Sequence, residues 1–399
     1  MCTRTVLVLA SVLLAERQLP AQARRPAPPA TVSQVQTYET RYYILQTDLP
    51  VEQAREVALR MTAMAEEYWQ RTRDFSGTIR QKFDFFVYRR ADDYYASGAP
   101  RGSAGLFDGR SLKAIAGEKL NDNTWRTIQH EGFHQFAHHV IGTDNMPIWV
   151  NEGLAEYFGE AIFTGDGFIT GYIPSHRVKR IRKSLETGRM RHVEEMMQLS
   201  HEQWNAELDL SNYDQAWAMV QFLAHADDGK YQRAFASFMV QISKGKPWTN
   251  AWRDSFGDSR GFEERFRDWW MAQPDEPTPE VFLRATVATW TSLLARAVSQ
   301  KQTFKDFDAL RQSAANGELK FHRDDWLPDS LREQALRWDK RLDRQQLKLE
   351  LVPATRGSLP TVVCTLPDGS RLVGSFTLKG QRVGDVVVKT VNPPKPRAS

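Results

Sequence analysis

The sequence predicts an α+β chain: a mostly helical domain that opens with a small N-terminal sheet, followed by a helical segment and a small C-terminal β-module. Three observations carry this reading. Apolar residues recur at helical spacing through most of residues 51–346. Short β-branched and aromatic runs at 42–46, 82–88 and 112–116 supply a few early strands. Residues 348–391 alternate with a period of two. With 399 residues, 41% hydrophobic and 26% charged, the chain has a globular composition and enough apolar side chains for two or three cores.

Residues 1–23 read as an export signal. Arg4 gives a positive start, residues 5–15 form an apolar run, and Ala21-Gln22-Ala23 suits cleavage. The run falls short of the ~20 residues that span a bilayer, so no stable membrane insertion is expected after signal removal. Residues 24–37, with Pro26, Pro28 and Pro29, read as a linker. The expected location is exported, periplasmic or extracellular. Only Cys364 would remain in the mature chain, which excludes an internal disulfide and leaves the core and any bound metal to stabilise it. A net charge of +4, with basic and acidic residues interspersed, gives no reason to expect a nucleic-acid partner.

In chain order, the first strand at 42–46 is followed by a long helix over 51–75, with Val57, Met61, Met64, Ala65 and Tyr68 on its apolar side. A second strand follows at 82–88. Glycines at 98, 102, 105 and 109 break the next stretch into loops, and a short strand at 112–116 is read as a sheet edge able to pair with an extended peptide. A helix capped by Asn123 or Thr124 runs to about 141, where Gly142 and its polar neighbours end it. A second helix spans about 150–162, and further helices are expected at 177–186, 201–208, 212–226, 230–243 and 261–272. Pro274, Pro277 and Pro279 mark a boundary, giving a domain over 38–273 and a helical segment over 274–346. The β-module covers 347–392, with strands at 348–352, 361–366, 371–378 and 385–391 and a turn at Pro367-Asp368-Gly369; 393–399 is a tail.

His130-Glu131-Gly132-Phe133-His134 puts two imidazoles on one face of a helix, where both reach one ion. Zinc used for catalysis takes three protein ligands and leaves one position open, and His130, His134 and Glu152 supply that count. Glu131 is then the natural general base toward a water activated by zinc. Such spacing arises by chance in about 1% of chains with this histidine content. His138 is a weaker competitor for the third ligand position. Glu156 either hydrogen-bonds a ligand histidine or is ordinarily solvated. The basic helix around Arg177, Lys179, Arg180, Arg182 and Lys183 reads as an exposed face, with selection of acidic substrates as its rival. The tryptophans at 204, 217, 248, 252, 269 and 270 read as core.

Trp149-Val150-Asn151-Glu152-Gly153-Leu154-Ala155 resembles the segment carrying the third ligand in the gluzincin metallopeptidases. The Asn-Glu-Gly-Leu-Ala-Glu-Tyr-Phe run is similar to that of small bacterial peptidase-MA-like domains. The resemblance covers the 38–273 domain. It implies a zincin-like fold, a Zn2+ cofactor held by His130, His134 and Glu152, and a peptide or protein substrate. Tyr213-Asp214-Gln215-Ala216 resembles the Tyr-Glu-Lys-Gly segment whose tyrosine stabilises the oxyanion, which implies that role for Tyr213; the competing reading is a helix-start tyrosine packed on the core. The Gly-x-Met-Glu-Asn sequence that holds a substrate amino terminus in the aminopeptidase branch is absent, so internal cleavage is expected. The expectation is therefore an exported zinc endopeptidase. Its rivals are a non-catalytic zinc-containing binding module of the cell envelope, and a zinc amidase acting on a non-peptide or cell-wall amide. Oligomeric state is left open.

Overall fold

The computed structural model describes residues 35–206, 210–257 and 261–393; the predicted signal, most of the linker and nearly all of the tail lie outside them. The chain is α+β, with a small N-terminal sheet and a four-stranded antiparallel C-terminal sheet. It divides into two compact units. One holds the described residues up to Gly159 together with His176–Gln273, and the other holds Glu160–Ser175 together with 274–393.

The first unit opens with β1 (Gln36–Glu39), β2 (Tyr43–Thr47), α1 (Val51–Thr72), β3 (Phe83–Tyr88), α2 (Ala91–Ala96), β4 (Gly105–Phe107) and β5 (Ser111–Ile115). The strand order is β1-β2-β3-β5-β4; β2, β3 and β5 run parallel, while β1 and β4 pair antiparallel at the two edges. Period-two alternation decides which face is covered. Tyr43 and Leu45 stand in register with Phe83 and Phe85, and all four are buried. Val57, Met61, Met64, Ala65 and Tyr68 form the buried stripe of α1. Tyr68 packs against Phe133, Phe136 and Phe158, tying α1 to the two helices that follow.

Those helices are α3 (Asp122–Phe136), which runs into a π-helical turn over Ala137–Ile141, and α4 (Ile148–Gly159). The cap of α3 is Asn121, whose side chain accepts from the amides of Asn123 and Thr124; the expected cap residues are thus the donors. The expected helix over 150–162 stops at Gly159. Its last residues belong instead to β6 (Ile162–Phe163), which pairs with β7 (Phe168–Ile169) across the polar turn Thr164-Gly165-Asp166-Gly167. After α5 (Ser175–Glu186), α6 (Val193–Gln198), α7 (His201–Ala206), α8 (Leu210–Gly229), α9 (Gln232–Ser243), α10 (Trp248–Phe256) and α11 (Phe262–Ala272) complete the unit. Trp204, Trp217, Trp252 and Trp270 are buried among them.

In the second unit α12 (Pro279–Ser299) lies across the sheet of β8 (Leu349–Val352), β9 (Thr361–Thr365), β10 (Arg371–Lys379) and β11 (Arg382–Val391), with α13 (Phe307–Ala315) and α14 (Asp329–Arg344) beside it. Residues 318–326 carry no helix but an isolated bridge between His322 and Asp325. Buried Arg296 holds Asp166 through two hydrogen bonds of 2.8 and 2.9 Å and Asp325 at 2.8 Å, which fastens the β6–β7 hairpin to α12. Among the described residues no helix is long and apolar enough to cross a membrane.

Candidate metal centre

His130 and His134 lie one helical turn apart on α3, so their rings meet on the same face, 4.7 Å between centroids. α4 is apolar nearly all round and buried throughout except at Glu156, and it carries Glu152 into the interior with no exposed surface. Gly153 allows the approach of α8. A Cβ there would stand 2.5 Å from the Ala216 carbonyl oxygen and 2.7 Å from Val220 Cγ2.

The ligating atoms of His130, His134 and Glu152 all fall within 4.8 Å of one another. The two Nε2 atoms are 3.0 Å apart, and Glu152 Oε2 lies 3.4 and 3.5 Å from them. Ligands about 2.0–2.1 Å from a tetrahedral zinc ion would lie about 3.3–3.4 Å apart, so these separations suit one small ion. Apart from the two imidazoles, no donor among the described residues reaches either oxygen of Glu152, an arrangement that is costly for a buried carboxylate without a cation.

Around this triad the other ring nitrogens are held. His134 Nδ1 meets Asn151 Oδ1 at 3.2 Å, and His130 Nδ1 meets Glu156 Oε1 at 3.2 Å. Glu156 is tied in turn to buried Arg177, which also lies 3.8 Å from Asp214; Arg180 grips Asp214 at 2.6 and 2.7 Å. Arg177 is thus not part of an exposed basic face. The apolar positions Val178, Ile181 and Leu185 turn it inward with them. Glu156 pairs with Arg177, while the groups that offset the charges of Glu131 and Glu152 are the two imidazoles themselves, so a divalent cation there would meet two buried carboxylates.

Burial acts to lower the His130 pKa, but the hydrogen bonds to Glu152 and Glu156 and the charges of Glu156 and Glu131 outweigh it and raise it to about 10. Burial acts to raise Glu152, yet the charge of His134 and the contacts with both imidazoles bring it down to about 2. Glu131 is raised, first by burial and also by the Glu152 charge, against the two histidines and one backbone donor. That donor is the Phe107 amide, 2.9 Å from Glu131 Oε2; Oε1 is buried and takes no hydrogen bond from the described residues.

Tyr213, near the start of α8, is half-buried with its ring 6.5 Å from that of His130 and edge-on to Trp204 at 5.1 Å. Its hydroxyl pKa is raised, first by burial and then by the charge of Glu152. His138 is exposed, outside the cluster, and beside Phe107. The 112–116 strand is not the sheet edge: β4 pairs along β5 and takes that place. Sequence reasoning missed Asn151, although it sits within the Asn-Glu-Gly run. It also missed Asp214 and the Phe107 amide, the latter carrying no side-chain signal.

Residues 124–249 match the model of a family described as "Protein of unknown function (DUF1570)"; the match spans α3, α4 and the helices up to the start of α10. The comparisons with curated proteins and with solved structures return no match.

Proposed function

We propose that the chain is an exported zinc-dependent endopeptidase of the gluzincin kind, with His130, His134 and Glu152 as ligands. The observation that carries this is the pairing of a three-ligand cluster with a buried glutamate, Glu131, that has one oxygen tied and the other without a donor. Bound zinc would act as a Lewis acid and bring the pKa of water toward neutrality.

The chain's own residues do the rest. Asn151 and Glu156 fix the orientation of the two imidazoles. Glu131 takes the proton of the attacking water on Oε1 and passes it to the leaving amine; the burial that raises its pKa makes it a better base and a usable acid. Tyr213, kept protonated by burial and by Glu152, donates its hydroxyl to the oxyanion that develops on the carbonyl. β4 is the edge strand beside Glu131, and an extended peptide would add to its outward groups other than the Phe107 N–H. Glu131→Gln tests the reading: peptide-library cleavage should be lost while metal stays bound. Undiminished cleavage refutes the role of Glu131. A wild-type chain that cuts peptidoglycan fragments and no peptide refutes the substrate class.

A further inference from the structure

In an antiparallel pair successive residues direct their backbone groups alternately toward the partner strand and away from it. The Ile115 amide donates to the Ala104 carbonyl at 2.9 Å and the Asp108 amide to the Ser111 carbonyl at 3.2 Å, so Ala104 and Asp108, which flank β4, face the β5 side. Gly105 and Phe107, one step out of phase, aim their N–H and C=O groups off the edge of the sheet. One of these outward groups is taken: the Phe107 N–H is the donor to Glu131 Oε2.

That bond requires β4 to lie directly on α3. Thr127 and Glu131 stand one turn apart on the α3 face that meets it. A Cβ at position 105 would lie 2.4 Å from Thr127 Cγ2 and 2.9 Å from Glu131 Cγ. Gly105 is not among the residues with positive φ, so its backbone would accept alanine and only space forbids a side chain. With the wedge absent, the strand closes on the helix and its amide reaches the carboxylate.

We propose that Gly105 and the Phe107 amide are the positioning device for Glu131: the missing side chain lets β4 reach the helix, and the amide ties Oε2 so that Oε1 is the oxygen left to take a proton. The catalytic half of this rests on the reading of Glu131 as general base; the structural half does not. The edge that would receive a peptide strand therefore also sets the geometry of the base.

Amide hydrogen exchange of the full chain tests the tie without metal or substrate. The Phe107 amide should be protected in the wild type. In Glu131→Ala and in Gly105→Ala its protection should fall about tenfold, while that of the Ile115 amide, which donates within the sheet, stays unchanged. Equal Phe107 exchange in wild type and Glu131→Ala overturns the proposal whether or not the chain is a peptidase. For the catalytic half, Gly105→Ala should lower kcat about tenfold with bound zinc unchanged, and adding Thr127→Ser should restore part of the loss. Unaltered kcat in Gly105→Ala, or a loss explained by lost zinc, overturns it. A wild type that cleaves no peptide defeats the peptidase reading and leaves the exchange result to decide the tie.

Discussion

Arg177→Leu removes the cation that joins Glu156, beside His130, to Asp214 of α8. The side chain is 6% exposed and lies between Glu156, 13% exposed, and Asp214, 8% exposed, with its guanidinium 4.7 Å over the Trp217 ring. Breaking a buried ion pair from one side costs about 3–5 kcal/mol, because the partner charge stays buried. Here Glu156 keeps His130 and Asp214 keeps Arg180, which places the cost near the lower end, about 3 kcal/mol. For a unit of this size each kcal/mol moves Tm by roughly 2–4 °C, so a fall of roughly 6–12 °C is expected. Calorimetry of wild type, Arg177→Leu and Arg177→Leu/Glu156→Gln measures it. The double variant should recover part of the loss, since neutralising Glu156 removes a buried charge that only His130 would still face. A fall under about 2 °C, or a double variant no better than the single, would refute the view that this arginine compensates buried carboxylates.

Two further outcomes follow from packing and burial. Gly153→Ala should destabilise by about 1–3 kcal/mol, the reverse of its effect on an open helix, because the new methyl meets the backbone of α8; thermal unfolding measures the sign. Cys364 is buried and its thiol is pushed up to about 11 by burial and by the nearby Glu350 charge. At pH 8 only about one thiol in a thousand would be ionised, so alkylation followed by mass spectrometry should find it unmodified until the chain is unfolded.

What the sequence made legible follows from periodicity. A four-residue interval places His130 and His134 together whatever surrounds them, and the aromatic and β-branched runs around Phe85 and Leu45 specify buried strands by alternation. β4 escaped because three residues between glycines carry no period, and its importance lies in one backbone amide and one absent side chain. Arg177 was misread because its charge argued for solvent, while its place beside Val178 and Ile181 argued for the core. The partners that make burial tolerable, Glu156 and Asp214, are distant in sequence or on another helix. The same limit hid the β6–β7 hairpin, whose anchor Arg296 lies far along the chain.

Zinc binding is what the proposed function rests on, and elemental analysis of the purified chain beside His130→Ala measures it. With a cluster whose ligating atoms lie within 4.8 Å, about one zinc per wild-type chain and almost none in the variant is the expected result. A wild type free of divalent metal after exposure to zinc, or a His130→Ala chain that binds as much, would contradict it.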